Sequence, residues 1–600
     1  MSTQEAKERQ DERDGINVES KLNRRDFLKG GLALGVAGMA SGALAGCSPQ
    51  APTAGQTSSP ANDSSLMTLD KFETEKWSFE IPPEPIADSD IAETIESEVV
   101  VVGGGMSGMC CGCSASMAGA DVVVVTASSK PIGRGGSNNA IGSKYQKEMG
   151  VDYDPQKAQE IVKVEQLINS FNLDTKKWAT WVNRSAEFMD WQIDIMAEVG
   201  LKPCLENAYV DPDGITSCPP SAHNFWNEET PNGALEGAPQ QAAGYASKIE
   251  STGGTIYYST KALQLVRDDD GKGRVSAVIA QDKDGKYIKY VGTKAIVLAT
   301  GDFSKDRDMM ARYSPEAYEI FKDKITWDNI DYDAGLVYDG LYPGDGHKMA
   351  LWVGAAWQKN TTCFCNMHIW PTWPNPEGLD SFFGINMDIY GERFMNEDSN
   401  IAHILNVVRH RPQEKIFYVW DADYANIRDE WNLGSCYKNV NGIPSTPASA
   451  MPEMWDGNVE QGTMIKADTI EDLLAQWDDI DQETAKKTIE NWNRYCEQGY
   501  DEEFQDVESI LVPVKTPPFY GAKTTPTDYT FLTVLGGPRT NSKLQICDEN
   551  DEPIEGLYCV GSMIGDFYGS IYSFYVPGLN LGSVCGALPY VLGRQLAGVE

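Results

Sequence analysis

Four consecutive valines at 99–102 are followed by Gly-Gly-Gly-Met-Ser-Gly at 103–108, a run of small residues, and four more valines at 122–125. Short apolar runs bounded by turn residues predict buried strands, so this stretch reads as strand, glycine turn, helix and second strand. Residues 295–303, Ala-Ile-Val-Leu-Ala-Thr-Gly-Asp-Phe, and 553–562, Pro-Ile-Glu-Gly-Leu-Tyr-Cys-Val-Gly-Ser, predict two more buried strands, each ending at a glycine. Residues 255–300 alternate in short β-like runs broken by Asp-Asp-Asp-Gly and Lys-Asp-Gly, the pattern of a small sheet leading to the Ala-Thr-Gly turn. From Asp154 to Gly200, Leu167, Phe171, Trp178, Trp181, Phe188, Trp191 and Ile195 recur at helical spacing and predict two helices with an aromatic core stripe. Thr469-Ile470-Glu471-Asp472 reads as a helix start with an acidic first turn, and Ala485 to Gly499 as a helix stopped by glycine.

The first segment has the chemistry of a dinucleotide cradle. Gly103 permits the tight turn, Gly105 lets the backbone approach a pyrophosphate, and Gly108 allows close helix–strand packing, with phosphate charge at the helix N-terminus. The acidic residue expected at the end of the second strand, which would accept from ribose hydroxyls, is Thr126. A threonine bonds a hydroxyl without charge assistance, which weakens that grip.

The N-terminal pattern indicates where the protein works. Asn-Arg-Arg-Asp-Phe-Leu-Lys at 23–29 precedes an apolar, Gly/Ala-rich stretch from Gly30 to Ala45, too short for a comfortable membrane span. This is the pattern of a twin-arginine export signal, which implies the twin-arginine translocase as a partner. Leu44-Ala45-Gly46-Cys47 resembles a lipoprotein processing site with lipidation at Cys47, and the Pro/Ser-rich residues 48–65 read as a flexible tether. The expected location is the outer face of a bacterial cytoplasmic membrane, lipid-anchored, or the periplasm.

Charge and cysteine usage narrow the chemistry. A formal net charge of −38 repels phosphate and argues against a nucleic-acid partner. Of the 13 cysteines, Cys110, Cys111 and Cys113 fall on the cradle helix as small packing residues, and Cys363-Phe364-Cys365 alternates as in a strand. There is no Cys-x-x-Cys-His haem site, and Cys363, Cys365 and His368 lack an evident fourth ligand, so no metal is predicted.

Further motifs occur in order: Gly135-Gly136-Ser137-Asn138, Gly344-Asp345-Gly346, Gly391-Glu392-Arg393-Phe394-Met395-Asn396-Glu397, Pro517-Pro518-Phe519-Tyr520, Gly536-Gly537 and Gly593-Arg594-Gln595-Leu596-Ala597-Gly598. With the cradle and the strands at 295–303 and 553–562, they resemble the fumarate reductase and ketosteroid dehydrogenase flavoprotein family over roughly residues 80–600. The resemblance implies an α/β fold, a Rossmann-like FAD-binding domain with an inserted α+β capping domain. It implies a signal at 1–47, a tether and lead-in at 48–95, FAD-binding parts at 96–372 and 526–600, and a cap at 373–525 that closes over the flavin. It also implies non-covalent FAD, since no histidine stands in the pyrophosphate loop. The implied contacts are Gly103, Gly105, Met106, Ser107, Gly108, Thr126, Gly135, Gly136, Ser137, Asn138, Ala262, Thr300, Gly301, Asp302, Gly561, Ser562, Gly578, Asn580 and Leu581.

In the family's fumarate reductases, histidines and arginines hold the two substrate carboxylates, and a cap arginine delivers the proton. Here the family's His-Pro-Thr is Trp370-Pro371-Thr372, and the proton-delivering arginine maps to Ile401. The histidine before Gly536-Gly537 is lost within Leu532-Thr533-Val534-Leu535, and no arginine stands near Gly569-Ser570-Ile571-Tyr572. Each unpaired buried carboxylate would cost several kcal/mol, which argues against a dicarboxylate substrate. The expected pocket is aromatic and neutral, lined by Trp370, Phe531, Tyr568, Tyr572, Phe574 and Tyr575. The segment Phe574 to Gly582 resembles the Tyr-Pro-Gly-Pro-Gly stretch of ketosteroid dehydrogenases, in which Gly578 matches the glycine whose amide polarises a ketone. Candidate proton donors are Tyr572, Tyr575 and His368.

These residues imply hydride transfer from reduced flavin N5 to an activated C=C bond of an enone, steroid-like or aryl acrylate substrate. The chain lacks haem, iron–sulfur and FMN-attachment elements, so a separate donor such as a membrane-anchored cytochrome is expected. Two alternatives stand beside this reading: a ketosteroid-type dehydrogenase running oxidatively, and a lipid-anchored binding protein without flavin.

Overall fold

The computed structural model describes residues 76–600 apart from 152, 154, 207–219, 230–236, 336–339, 370–383, 398–405, 428, 432–445, 507 and 574. Arg24, Arg25, Cys47, Trp370, Ile401 and Phe574 lie outside the described residues, as do the side chains of Cys365, His368 and Phe531.

Strand β1 (Ile91–Val102) feeds the glycine turn and helix α1 (Met106–Met117), and β2 (Val122–Val125) returns parallel to it, Val99 opposite Val122 and Val102 opposite Val125. All eight valines are buried, as the unbroken apolar runs require of a sheet covered on both faces. Helices α2 (Pro155–Ile168) and α3 (Thr175–Glu198) follow as expected. The aromatic stripe is only partly as read: Trp178, Trp181, Phe188 and Ile195 are buried, but Leu167 and Phe171 are 56% and 63% exposed. Helix α2 ends at Ile168 with Leu167 on its exposed side, and the chain turns through Ser170 and Phe171, both at positive φ, so Phe171 leaves the helical period.

Helix α4 (Ala238–Ser251) leads to β3 (Thr255–Tyr257), β4 (Lys261–Arg267), β5 (Val275–Gln281) and β6 (Tyr287–Leu298). The strands expected over 255–300 are present and belong to the central sheet. One edge of β6 pairs with β1 in parallel, while its other edge takes β5 antiparallel, Ala277 opposite Val291, so the β4–β5 hairpin joins the central sheet. Helix α5 (Asp345–Trp352) and strand β7 (Cys363–Ile369) come next.

Strands β8 (Ile385–Met387), β9 (Ile416–Asp421), β10 (Ile465–Ala467) and, after helix α6 (Gln482–Gln498), β11 (Phe519–Thr524) form a sheet of their own in the order β8-β9-β11-β10. Helix α6 begins before Ala485 because the Asp481 carboxylate caps the Thr484 amide, and it stops at Gly499 with φ 70°. Strand β12 (Tyr529–Leu535) pairs antiparallel with β7, placing Phe531 opposite Asn366 in register.

Strands β13 (Gln545–Cys547) and β14 (Pro553–Cys559) return to the central sheet, where β14 runs parallel to β6 with Leu557 opposite Ile296. The eight-stranded sheet thus has the path β13-β14-β6-β1-β2-β3, with the β4–β5 hairpin beside β6. The last helix, α7 (Leu588–Leu596), packs on α1 so closely that a Cβ on Gly593 would lie 2.5 Å from the Cys111 carbonyl oxygen. Cys110, Cys111 and Cys113 are buried free thiols on α1, and burial pushes the Cys111 thiol up to about 12. Among the described residues no helix is long and apolar enough to cross a membrane.

Candidate active site

A cleft opens at the carboxyl ends of β1, β2 and β6, where open α/β sheets bind ligands. It encloses about 1000 Å³ counted out to its open mouth. Its wall includes eleven of the sequence-predicted FAD contacts: Gly103, Gly105, Met106, Ser107, Thr126, Ala262, Thr300, Gly301, Ser562, Asn580 and Leu581.

The glycines of the turn divide into two kinds. A Cβ on Gly103 would lie 2.2 Å from the Ala299 carbonyl oxygen, and one on Gly108 would lie 2.0 Å from that of Gly103. A Cβ on Gly105 would meet nothing within 4 Å, because that position faces the open cleft. Gly105 is also the N-cap of α1 and supplies no capping side chain, so the first amides of the helix are left for an anion. The cradle therefore fits a pyrophosphate.

The other predicted contacts stand behind the wall and hold it. Gly108 packs under the turn, and Gly561 presses on the Ser107 hydroxyl, where a Cβ would come within 2.5 Å. Asn138 Nδ2 donates to the Gly136 carbonyl at 2.6 Å and to Gln241 Oε1 at 2.8 Å, and Ser137 Oγ donates to Glu206 Oε1 at 2.6 Å. A Cβ on Gly135 would lie 3.7 Å from Leu581, and Gly578, at φ 67°, backs onto the Ser137 carbonyl. Asp302 is fully buried and accepts from the Ser304 and Thr533 hydroxyls, each at 2.8 Å. Thr126 Oγ1 pairs with Ser128 Oγ at 2.8 Å, which leaves that part of the wall neutral.

The cleft also has charged lining that sequence reasoning passed over. Arg134 donates to the Leu532 carbonyl at 2.8 Å and to Thr533 Oγ1 at 3.3 Å, and stands 3.7 Å from Asp302. Lys261 approaches Asp345 at 3.4 Å, and the Tyr332 hydroxyl donates to the same carboxylate at 2.8 Å. Arg134 sits inside Gly133-Arg134-Gly135-Gly136, where the glycines drew the reading and the arginine between them was the available signal.

Tyr568, Tyr572 and Tyr575 are buried but do not line the cleft. The Tyr568 and Tyr572 rings lie 5.2 Å apart, edge to face. Tyr568 Oη donates to Asn580 Oδ1 at 3.3 Å, and the Asn580 amide donates to Tyr572 Oη at 3.4 Å, so the pair stands directly behind a cleft residue. Burial raises the Tyr568 hydroxyl well above its usual range. Two buried histidines were also missed. His347 faces the Gly536 carbonyl oxygen at 3.0 Å and His223 the Ser143 hydroxyl at 2.7 Å, and burial lowers each to about 4, so both are neutral supports.

Comparison with known proteins agrees with this geometry. A family model described as FAD binding domain matches residues 98–574. Digoxin reductase of Eggerthella lenta is 24% identical, with 93% of this chain and 94% of that one aligned. Vinyl phenol reductase of Lactiplantibacillus plantarum is 24% identical over 81% of this chain and 93% of its own length. The solved 3-ketosteroid-delta4-(5alpha)-dehydrogenase of Rhodococcus jostii RHA1, in complex with 4-androstene-3,17-dione, shares the fold with a TM-score of 0.63 at 19% identity, over 86% of this chain and 99% of that one. Sheet order, cradle and the match over residues 98–574 lead to one assignment: the chain belongs to the FAD binding domain family, and FAD is its cofactor.

Proposed function

We propose that this flavoprotein is an exported reductase of an activated C=C bond in a non-dicarboxylate substrate such as an enone, a steroid-like ketone or an aryl acrylate. It is an FAD-dependent oxidoreductase acting on CH–CH or C=C bonds. When bound, FAD supplies the stored electron pair and hydride transfer. The chain's residues supply the rest: a pyrophosphate cradle at Gly103–Ser107 and a wall at Thr300, Gly301, Asn580 and Leu581; the pyrophosphate-loop sequence, which has no histidine, supports a non-covalent hold.

One observation carries the substrate reading. The segment from Gly565 to Gly582 contains no arginine, lysine or histidine, yet its buried Tyr568 and Tyr572 reach Asn580 on the cofactor wall. A segment with aromatic and no cationic side chains supports an apolar unsaturated substrate and offers no partner to a carboxylate. Tyr572, Tyr575 and His368 are the proposed proton donors; the Asn580 backbone amide donates to Tyr572 Oη at 3.4 Å and orients that hydroxyl. Trp370, Phe531, Tyr568, Phe574 and Gly578 are the proposed substrate contacts. The twin-arginine pattern and Cys47 support export and lipid anchoring, and electrons come from a separate donor, a membrane-anchored cytochrome.

The test is turnover by FAD-loaded protein with dithionite-reduced viologen over a panel of enones, aryl acrylates and fumarate. Viologen oxidation by an enone or aryl acrylate, and not by fumarate, is expected. Brisk fumarate reduction overturns the reading, and oxidation of a saturated ketone by an artificial acceptor replaces it with the ketosteroid-type dehydrogenase.

A further inference from the structure

The loop Gly565–Ser573 carries the tyrosine pair, and the hairpin of α2 and α3 grips it residue by residue. Lys177 Nζ donates to the Gly565 carbonyl at 2.6 Å, the Asp174 amide to the Asp566 carbonyl at 2.8 Å, and Trp178 Nε1 to the Phe567 carbonyl at 2.7 Å. Farther along, one side-chain oxygen, Asn169 Oδ1, accepts from the amides of Gly569 at 3.2 Å and Ile571 at 3.3 Å. Ser573 Oγ then donates to Glu165 Oε1 at 2.6 Å and itself accepts from the Tyr575 amide at 3.0 Å. Asn169 Nδ2 donates back to Glu165, at 3.1 Å to its carbonyl and 3.3 Å to its Oε2, so the two side chains form one unit.

Both side chains are buried, and both spend their polar atoms on this loop and on each other. A Cβ on Gly569 would lie 2.7 Å from Asn169 Oδ1, so the loop lies flush against the clamp. The opposite edge of the loop bears Tyr568 and Tyr572, whose hydroxyls meet Asn580. The loop is therefore tied on one side to the α2–α3 hairpin and on the other to Asn580.

We propose that Glu165 and Asn169 are positioning residues for the reaction: by fixing the outer edge of loop Gly565–Ser573 they set where Tyr568 and Tyr572 meet Asn580 on the cofactor wall. The inference rests on the reading of that loop as the substrate side of the site. The clamp carries a pH response, because burial raises the Glu165 carboxyl to about 7. Ser573 and the Val576 amide hydrogen-bond it, Asn169 adds a donor, and among the described residues the titratable group opposing it is the Cys363 thiol at the head of β7, itself held protonated by burial. A closed loop holds the Glu165 proton more tightly than an open one, so rising pH favours opening.

The experiment is backbone hydrogen exchange of residues 565–573 in the full-length, FAD-loaded enzyme at pH 6 and pH 8.5, corrected for intrinsic rates. The wild type is expected to open about tenfold more at the higher pH, the linkage of one carboxyl moving between about 7 and an ordinary glutamate value. Glu165→Gln is expected to abolish that step with the loop still closed, and Glu165→Ala and Asn169→Ala to open it at both pH values while FAD stays bound. In the alkene assay the alanine variants should lower kcat more than they raise KM. A pH step that survives in Glu165→Gln, or unchanged exchange in both alanine variants, overturns the clamp. Exchange as expected with no alkene turned over by the wild type supports the clamp and overturns the reductase reading instead, since exchange needs no substrate.

Discussion

The Arg134 guanidinium donates to the Leu532 carbonyl oxygen across 2.8 Å, joining the glycine-rich cofactor loop to strand β12. The same group lies 3.7 Å from Asp302, which is fully buried, while Arg134 keeps 17% of its side chain exposed at the cleft. Removing it would leave a buried carboxylate without its cation and a strand carbonyl without its donor. Arg134→Ala is expected to weaken FAD binding by about tenfold or more, the worth of a hydrogen bond to a charged group, with Arg134→Lys intermediate. Fluorescence titration of the apoprotein with FAD reads this directly; unchanged affinity in Arg134→Ala would show that the bridge does not shape the site.

Gly105 and Gly108 should fail differently. The open space at Gly105 accepts a methyl group without disturbing the apoprotein, so Gly105→Ala should keep its melting temperature and lose FAD. At Gly108 the methyl would come within 2.0 Å of the Gly103 carbonyl oxygen, so Gly108→Ala should unfold at lower temperature even without cofactor. Calorimetry of both apoproteins beside their flavin absorbance separates the two outcomes.

Thr126 gives the wall a neutral hydroxyl pair with Ser128. Thr126→Glu would supply a carboxylate to ribose hydroxyls, and one charge-assisted bond of about 1.5 kcal/mol corresponds to roughly tenfold tighter FAD. The unpaired acid should also make the apoprotein less stable. Equilibrium FAD titration checks the first effect and thermal melting the second.

Glu165 should make stability depend on pH in a definite direction. Its carboxyl is raised from 4.5 to about 7 in the fold, so the folded state holds the proton more tightly. That contribution is fully present below the unfolded value near 4.5 and is lost as pH rises to about 7, about 3 kcal/mol in all. Glu165→Gln does not titrate, so its stability relative to wild type should improve by about that amount between pH 4 and pH 8. Denaturant unfolding at the two pH values measures the difference.

Tyr572→Phe tests the proposed donor. The ring contact with Tyr568 should survive, so the flavin spectrum should not change, while the proton-transfer step loses about 10²-fold or more in kcat. Normal turnover would move the role to Tyr575 or His368.

Much of the cofactor side was legible because its signals are local. The valine runs at 99–102 and 122–125, the positive φ at Gly103, the close approach of Gly108 to the Gly103 carbonyl and the stop at Gly499 each express a demand met within a few residues. A turn that needs positive φ or close approach writes that need into the chain where it occurs. Missed features have another range. Arg134 meets Leu532 across 398 positions of sequence, Asn169 meets Gly569 across 400, and Glu165 meets Ser573 across 408. Nothing in the helical period of α2 marks Glu165 and Asn169 as partners of a loop rather than ordinary polar positions. The exposure of Phe171 was equally unmarked, since the chain turns at positive φ just beyond the end of α2.

The sequence by itself determined the strand–turn–helix cradle, the α/β class and the free, buried state of the cradle cysteines, because backbone geometry and apolar burial act over short stretches. Only the tertiary structure decided which predicted contacts face the cleft, which ones brace it from behind, and which distant side chains hold the tyrosine loop. Those depend on the docking of elements hundreds of residues apart, where a hydrogen bond leaves no periodic trace in either segment.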